Sequence, residues 1–136
     1  VKVRVVGFLD NVEEYMLASD VIVSKAGPGS IAEAAACGRP CMVYDFLPGQ
    51  EEANVDFVLK RGMGGFEPDA NKAAQVVLSW LNDQPTLRKL SDASRKANSN
   101  PHAAHDIAAA IITLIQVSSS EAPPWADDAG AGARQT

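Results

Sequence analysis

The stretch of this sequence best suited to hold a ligand is Gly27-Pro28-Gly29-Ser30. It follows a β-branched run, Val21 to Val23, short enough to be a buried parallel strand, and it opens a segment of helical character. The first N–H groups of a helix have no partner inside it. The macrodipole places about half a positive charge there, and glycine lets an anion approach the backbone. A diphosphate fits such a turn. Alone the turn is a weak signal, since the same residues also serve simply to reverse a chain.

Other polar residues with chemical potential lie downstream. Ser30 and Glu33 spell an S-x-x-E capping box, which stabilises a helix start by about 1 kcal/mol and needs no ligand. Gln50 and Glu51 follow Pro48-Gly49, where they read as an N-cap and first-turn acid of the next helix. Asn54 comes one helical turn later and either supports this loop or faces solvent. His102 and His105 are spaced i, i+3, compatible with a metal, yet no third ligand accompanies them and no D-x-D pair occurs. No metal is expected.

These residues need a scaffold, and the pattern supplies one. Val1 to Val6 is β-branched and stopped by Gly7, so it reads as a first strand, with Phe8-Leu9 at its carboxyl end. Asp10 and Glu13 form a D-x-x-E start for a helix carrying Val12, Tyr15, Met16 and Ser19 and ending at Asp20. After the glycine turn, Gly38-Arg39-Pro40 stops the helix and Cys41 to Asp45 forms another strand. Residues 51–61 are then helical, with Val55, Val58 and Leu59 inward and Gly62 as a left-handed stop. Met63 to Phe66 is a short, glycine-loosened strand. Asp69 caps an amphipathic helix bearing Ala73, Val76, Val77, Trp80 and Leu81, and Pro85 starts one bearing Leu87, Leu90 and Ala97. A last helix carries Ile107, Ile111, Ile112 and Ile115. Alternating strands and helices with short connections predict an α/β fold, a Rossmann-like parallel sheet with helices on both faces. Residues 1–116 form this domain. Residues 117–136, rich in Ser, Pro, Ala and Gly, are expected to be a disordered tail.

Composition agrees with one globular domain: 136 residues, 46% apolar and 21% charged. A net charge of -5 with scattered Lys and Arg argues against a nucleic-acid partner. Cys37 and Cys41 have neither CxxC nor zinc-finger spacing and read as reduced thiols in or near the core. No run approaches the ~20 apolar residues of a membrane span. The start in a strand, without methionine, suggests a piece of a longer protein.

Taken in order, KAGPGSIAEA (25–34), GRP (38–40) and PGQEEANV (48–55) resemble the monogalactosyldiacylglycerol synthases. These are GT-B glycosyltransferases of the wider family that contains the lipid II N-acetylglucosaminyltransferase. The resemblance runs from about Val1 to about Ile115 and implies the C-terminal, nucleotide-sugar-binding domain of a GT-B enzyme, in part. It implies transfer of galactose from UDP-galactose to diacylglycerol, with inversion. The site residues it implies are Leu9, whose backbone meets the uracil, the Gly27, Pro28, Gly29 and Ser30 turn for the diphosphate, and Glu33 for both ribose hydroxyls. Gln50 and Glu51 would read the sugar, an amide and a carboxylate together offering donors and acceptors to a polyol, with Asn54 beside them. For Leu9 a loop packing one apolar side chain remains the alternative, and for Glu33 the capping box does.

No catalytic residue is expected in this stretch, because in these enzymes the base lies in the N-terminal half with the lipid-contacting surface. No cofactor is implied. The resemblance further implies a peripheral protein at the membrane surface of the plastid envelope. Two other functions stay open: a stand-alone UDP-N-acetylglucosamine-binding subunit of a two-part transferase, and a non-catalytic α/β binding module.

Overall fold

The computed structural model describes residues 2–98 and 100–120, and side chains as far as 116. The chain divides into two units, residues 1–99 and 100–136. In the first, the elements run α1 (Val12–Ala18), β1 (Ile22–Lys25), α2 (Pro28–Ala36), β2 (Cys41–Asp45), α3 (Glu52–Arg61), β3 (Gly64–Phe66), α4 (Ala70–Asn82) and α5 (Gln84–Ala97). The second holds α6 (Ala103–Ser120).

The sheet is parallel, in the order β1-β2-β3. Its central strand is covered on both faces, as period-2 alternation requires. Cys41 and Val43 join Ala26, Ile31, Ala35, Val55, Val58 and Met63 in one cluster, while Met42 joins Ala73, Trp80 and Leu87 in another. Helix α5 contributes to both through Ala97 and Leu87. The second face is less complete, leaving an apolar cleft of about 500 Å³ lined by Val23, Tyr44, Pro68, Ala73, Val77 and Leu78 among others.

Two glycines are required by geometry. Gly62 ends α3 with φ +66°, the left-handed stop expected from the sequence. Gly64 lets β3 lie against β2, since a Cβ there would sit 1.7 Å from the carbonyl oxygen of Cys41. Helix α4 is capped by Asp69, whose Oδ1 accepts from the Lys72 N–H at 2.9 Å, as its sequence predicts. Trp80 is a packing residue, against Gly65.

The structure departs from the sequence reading in several places. Residues 2–9 form no strand, and Val3, Val5 and Phe8 are exposed. A β-rich sequence becomes a strand only when another edge takes its hydrogen bonds, and among the described residues β1 pairs with β2 alone. Helix α1 is capped at Asn11, not Asp10, with the Asn11 amide donating to Glu14 at 2.8 Å, and it ends at Ala18. Leu59 is exposed rather than inward. Helix α6 continues through Ser120, into the stretch read as tail. The remainder of that stretch, with Trp125, lies outside the described residues, as does Val1 of the first expected strand.

Candidate functional site

The carboxyl ends of β1 and β2 lead directly into the two segments singled out by chemistry, the glycine turn and the loop of residues 46–51. In open parallel sheets ligands bind at that edge. The pairing of the strands slips there: Ser24 lies opposite Val43 but Lys25 opposite Asp45, leaving Tyr44 over. Such a bulge sharpens the local twist and re-aims the side chains beside it.

Helix α2 starts at Pro28, with Gly27 as its N-cap. Proline suits this first position because its fixed φ is helical and the N–H it lacks would have had no partner. The Gly27 amide is already spent, donating to the Lys25 carbonyl at 2.8 Å, and Ile31 donates to the Gly27 carbonyl at 3.1 Å. Two backbone donors remain at the head of α2, the amides of Gly29 and Ser30, which have no partner among the described residues. The turn therefore offers an anion these two N–H groups and the Ser30 hydroxyl, while Gly27 and Pro28 shape it. A methyl group built on Gly29 would meet no atom within 4 Å, so packing does not demand glycine there.

This start removes the capping-box reading of Glu33. Glu33 is the sixth helical residue, not the third, and Ser30 is not the N-cap, so no capping box forms. Its side chain is exposed and makes no hydrogen bond or ion pair among the described residues. It shares a helix face with Gly29 and Ser30 at i+4 and i+3, and helical side chains lean toward the N-terminus, which carries its carboxylate toward the turn.

In the 46–51 loop the predicted pair separates. Gln50 is exposed, and its side-chain amide makes no hydrogen bond among the described residues. Glu51 is buried at 7% exposure, and both of its oxygens are engaged. Oε1 accepts from Lys25 Nζ at 2.6 Å, and Oε2 accepts from the Leu47 N–H at 2.8 Å. The Lys25 ammonium foremost, then the Leu47 amide, holds this carboxyl below its ordinary value of 4.5. Asn54 supports the same region, its amide donating at 2.9 Å to the carbonyl of Ala26. Leu9 is half-buried in the irregular segment before α1, so the strand end expected to present it does not form. Lys25 was not singled out in the sequence, where a lysine before a glycine turn has no visible partner 26 residues away.

Elsewhere, Cys41 is buried in the core and burial pushes its thiol up to about 11, against a smaller opposing hydrogen bond from Ser24. Among the described residues no three His, Cys, Asp or Glu side chains come together as a metal site, and no helix is long and apolar enough to cross a membrane.

A strand-to-helix turn with free amides, a helical carboxylate one turn on and a polar loop at the neighbouring strand end stand at the carboxyl edge of the sheet. The family model for glycosyl transferases group 1 matches residues 1–97. The chain belongs to that family. It is 41% identical over 117 residues to the chloroplastic monogalactosyldiacylglycerol synthase 3 of Arabidopsis thaliana, covering 85% of this chain and 25% of that protein. It is 39% identical over 108 residues to a probable chloroplastic monogalactosyldiacylglycerol synthase 3 of Oryza sativa subsp. japonica, covering 79% and 21%. A third relative, the chloroplastic monogalactosyldiacylglycerol synthase of Spinacia oleracea, is 32% identical over 116 residues, covering 85% and 22%. The chain thus spans about a quarter of the length of these relatives. The parallel sheet with helices on both faces is the Rossmann-like architecture expected of the C-terminal domain of a GT-B enzyme.

Proposed function

We propose that this chain is the donor-binding part of a monogalactosyldiacylglycerol synthase, which transfers galactose from UDP-galactose to the free hydroxyl of diacylglycerol with inversion at the anomeric carbon. The observation that carries the reading is the pair of unspent amides, Gly29 and Ser30, at the head of α2, with the free carboxylate of Glu33 on the same face. Direct displacement needs a base on the acceptor hydroxyl and stabilisation of the departing UDP. This chain does the second. Negative charge builds on the diphosphate as the glycosidic bond breaks, and the two N–H groups, the Ser30 hydroxyl and the helix dipole oppose it without a metal. Glu33 accepts from both ribose hydroxyls and fixes the nucleoside, the Leu9 backbone meets the uracil, and Gln50 reads the hexose hydroxyls.

The acceptor site and the base belong to the half of the enzyme outside this chain, which also carries the membrane contact. The plastid envelope is the place of action on this reading, in keeping with the names of the relatives. No nucleic acid takes part.

Calorimetry with UDP, beside a galactosyltransfer assay with diacylglycerol, tests this. The chain should bind UDP with a Kd on the order of 0.1 to 1 mM, because one side of the cleft is open to water, and should make no galactolipid. Absence of binding would favour a non-catalytic α/β module. Tighter binding of UDP-N-acetylglucosamine than of UDP-galactose would favour the two-part N-acetylglucosaminyltransferase. Galactolipid formed by these residues alone would overturn the assignment of the base to the other half.

A further inference from the structure

We propose that Lys25 is a positioning residue for the sugar-reading loop, holding it in fixed register with the diphosphate turn through Glu51; this rests on the donor-binding reading above. Five contacts carry the inference. Lys25 is the last residue of β1, two positions before the N-cap glycine, and its Nζ donates to Glu51 Oε1 at 2.6 Å. The other Glu51 oxygen accepts from the Leu47 N–H at 2.8 Å, which closes the loop on itself. The Gln50 and Glu51 amides both donate to the Leu47 carbonyl, at 3.1 and 2.9 Å, so Gln50 is held between residues that Glu51 fixes. Asn54 adds a parallel tie from α3 to the Ala26 carbonyl.

The polar side chains of the loop sort accordingly. Glu51 is committed to Lys25 and Leu47, and Glu52 accepts from the Gly49 N–H at 2.8 Å. Gln50 alone of the three makes no side-chain hydrogen bond among the described residues. Its position then depends on a carboxylate whose own anchor is a lysine on the neighbouring strand. The bulge at Ser24/Lys25 brings that lysine to the loop. One of the three Nζ donors is spent on Glu51, and the diphosphate is assigned to the Gly29 and Ser30 amides. Lys25 thus acts on the hexose through Gln50, and its removal should disturb sugar reading more than nucleotide binding.

The test uses the whole chain and compares wild type, Lys25→Met and Lys25→Arg. Amide hydrogen exchange at Leu47 is measured without ligand, and calorimetry gives Kd for UDP and for UDP-galactose. Lys25→Met should speed Leu47 exchange by about tenfold or more and weaken UDP-galactose by about tenfold, with UDP affinity changed less than about threefold. Lys25→Arg, which keeps the ion pair, should stay within about threefold of wild type in every measurement. Equal losses of UDP and UDP-galactose in Lys25→Met would mean that Lys25 contacts the diphosphate, and would overturn the proposal. So would Leu47 exchange unchanged by that substitution. The exchange readout needs no ligand, so it still judges the brace if wild type fails to bind UDP, a result that would instead sink the donor-binding reading.

Discussion

The side-chain amide of Asn54 on α3 reaches the carbonyl of Ala26 at 2.9 Å, tying the helix after the sugar loop to the residue before the glycine turn. Ala26 is fully buried, so its carbonyl has no water to turn to if that donor is lost. Asn54→Ala should therefore destabilise the chain by about 1 to 3 kcal/mol, the cost of an unsatisfied buried acceptor. Urea unfolding at neutral pH measures it, and a loss below about 0.5 kcal/mol would mean that the tie carries little.

At Gly29 fold and ligand make opposite demands. The position is open, and alanine there meets no neighbouring atom. Gly29→Ala should leave stability unchanged or raise it by a few tenths of a kcal/mol, through the better helix propensity of alanine. UDP affinity should fall by about tenfold or more, because the methyl group stands where a phosphate must approach the amide. Retained affinity would move the diphosphate away from this turn.

Glu33→Gln separates ribose binding from helix structure. The carboxylate is exposed, caps nothing and pairs with nothing among the described residues, so melting should hardly move. Binding of UDP should weaken by about 1 to 2 kcal/mol, as a charged acceptor of two hydroxyls becomes a neutral amide. Equal losses in melting and binding would point to a structural role instead.

Gln50→Ala bears on the hexose alone. Galactose and glucose differ only in the direction of one hydroxyl, and a polar group that pairs with one leaves the other unpaired. With both halves of the enzyme present, kcat/KM for UDP-galactose should fall by about 10- to 1,000-fold while the inhibition constant of UDP barely changes. Parallel losses in both quantities would show that the loop serves the nucleotide.

Two groups lend stability that depends on pH, with opposite signs. Cys41 has its pKa raised by burial from 9.0 to about 11, so its contribution is complete below pH 9 and is lost as pH rises toward 11. Stability should decline by up to about 2 to 3 kcal/mol over that window, and Cys41→Ala should flatten the decline. Glu51 has the opposite sign. Its pKa is lowered, so its contribution is complete above its ordinary value of 4.5 and is lost as pH falls below it. Thermal melts from pH 3 to 11 record both limbs, and Glu51→Gln should blunt the acid one.

What could be read from the sequence was what local rules decide. The glycine turn, strand β2, the Gly62 stop of α3 and the Asp69 cap of α4 depend on residues a few positions apart, and they stand where turn chemistry and periodicity put them, while the N-cap of α3 falls one residue later than expected, at Glu51. Strand status at Val3 and Val5 depends instead on a partner edge, which no local pattern encodes. No capping box forms at Ser30 because Pro28, two residues earlier, is the stronger start signal. The type of Glu51 and the loop it sits in suit a polyol. Its partner on β1 is remote in sequence, and only folding brings the two together.

The unshared side of β1 has a consequence for the chain as a material. The Ile22 N–H donates to the Pro40 carbonyl on the β2 side, so by strand alternation the backbone groups of Val23 face the other side, where no strand pairs among the described residues, and Val23 is 53% exposed. Such an edge is a template: any extended apolar segment can dock on it, including Val3-Arg4-Val5-Val6 of another copy. Handled by itself at high concentration, the chain will be limited by edge-to-edge association before it is limited by unfolding. A charge introduced along β1 would improve its solubility more than any repair of the core.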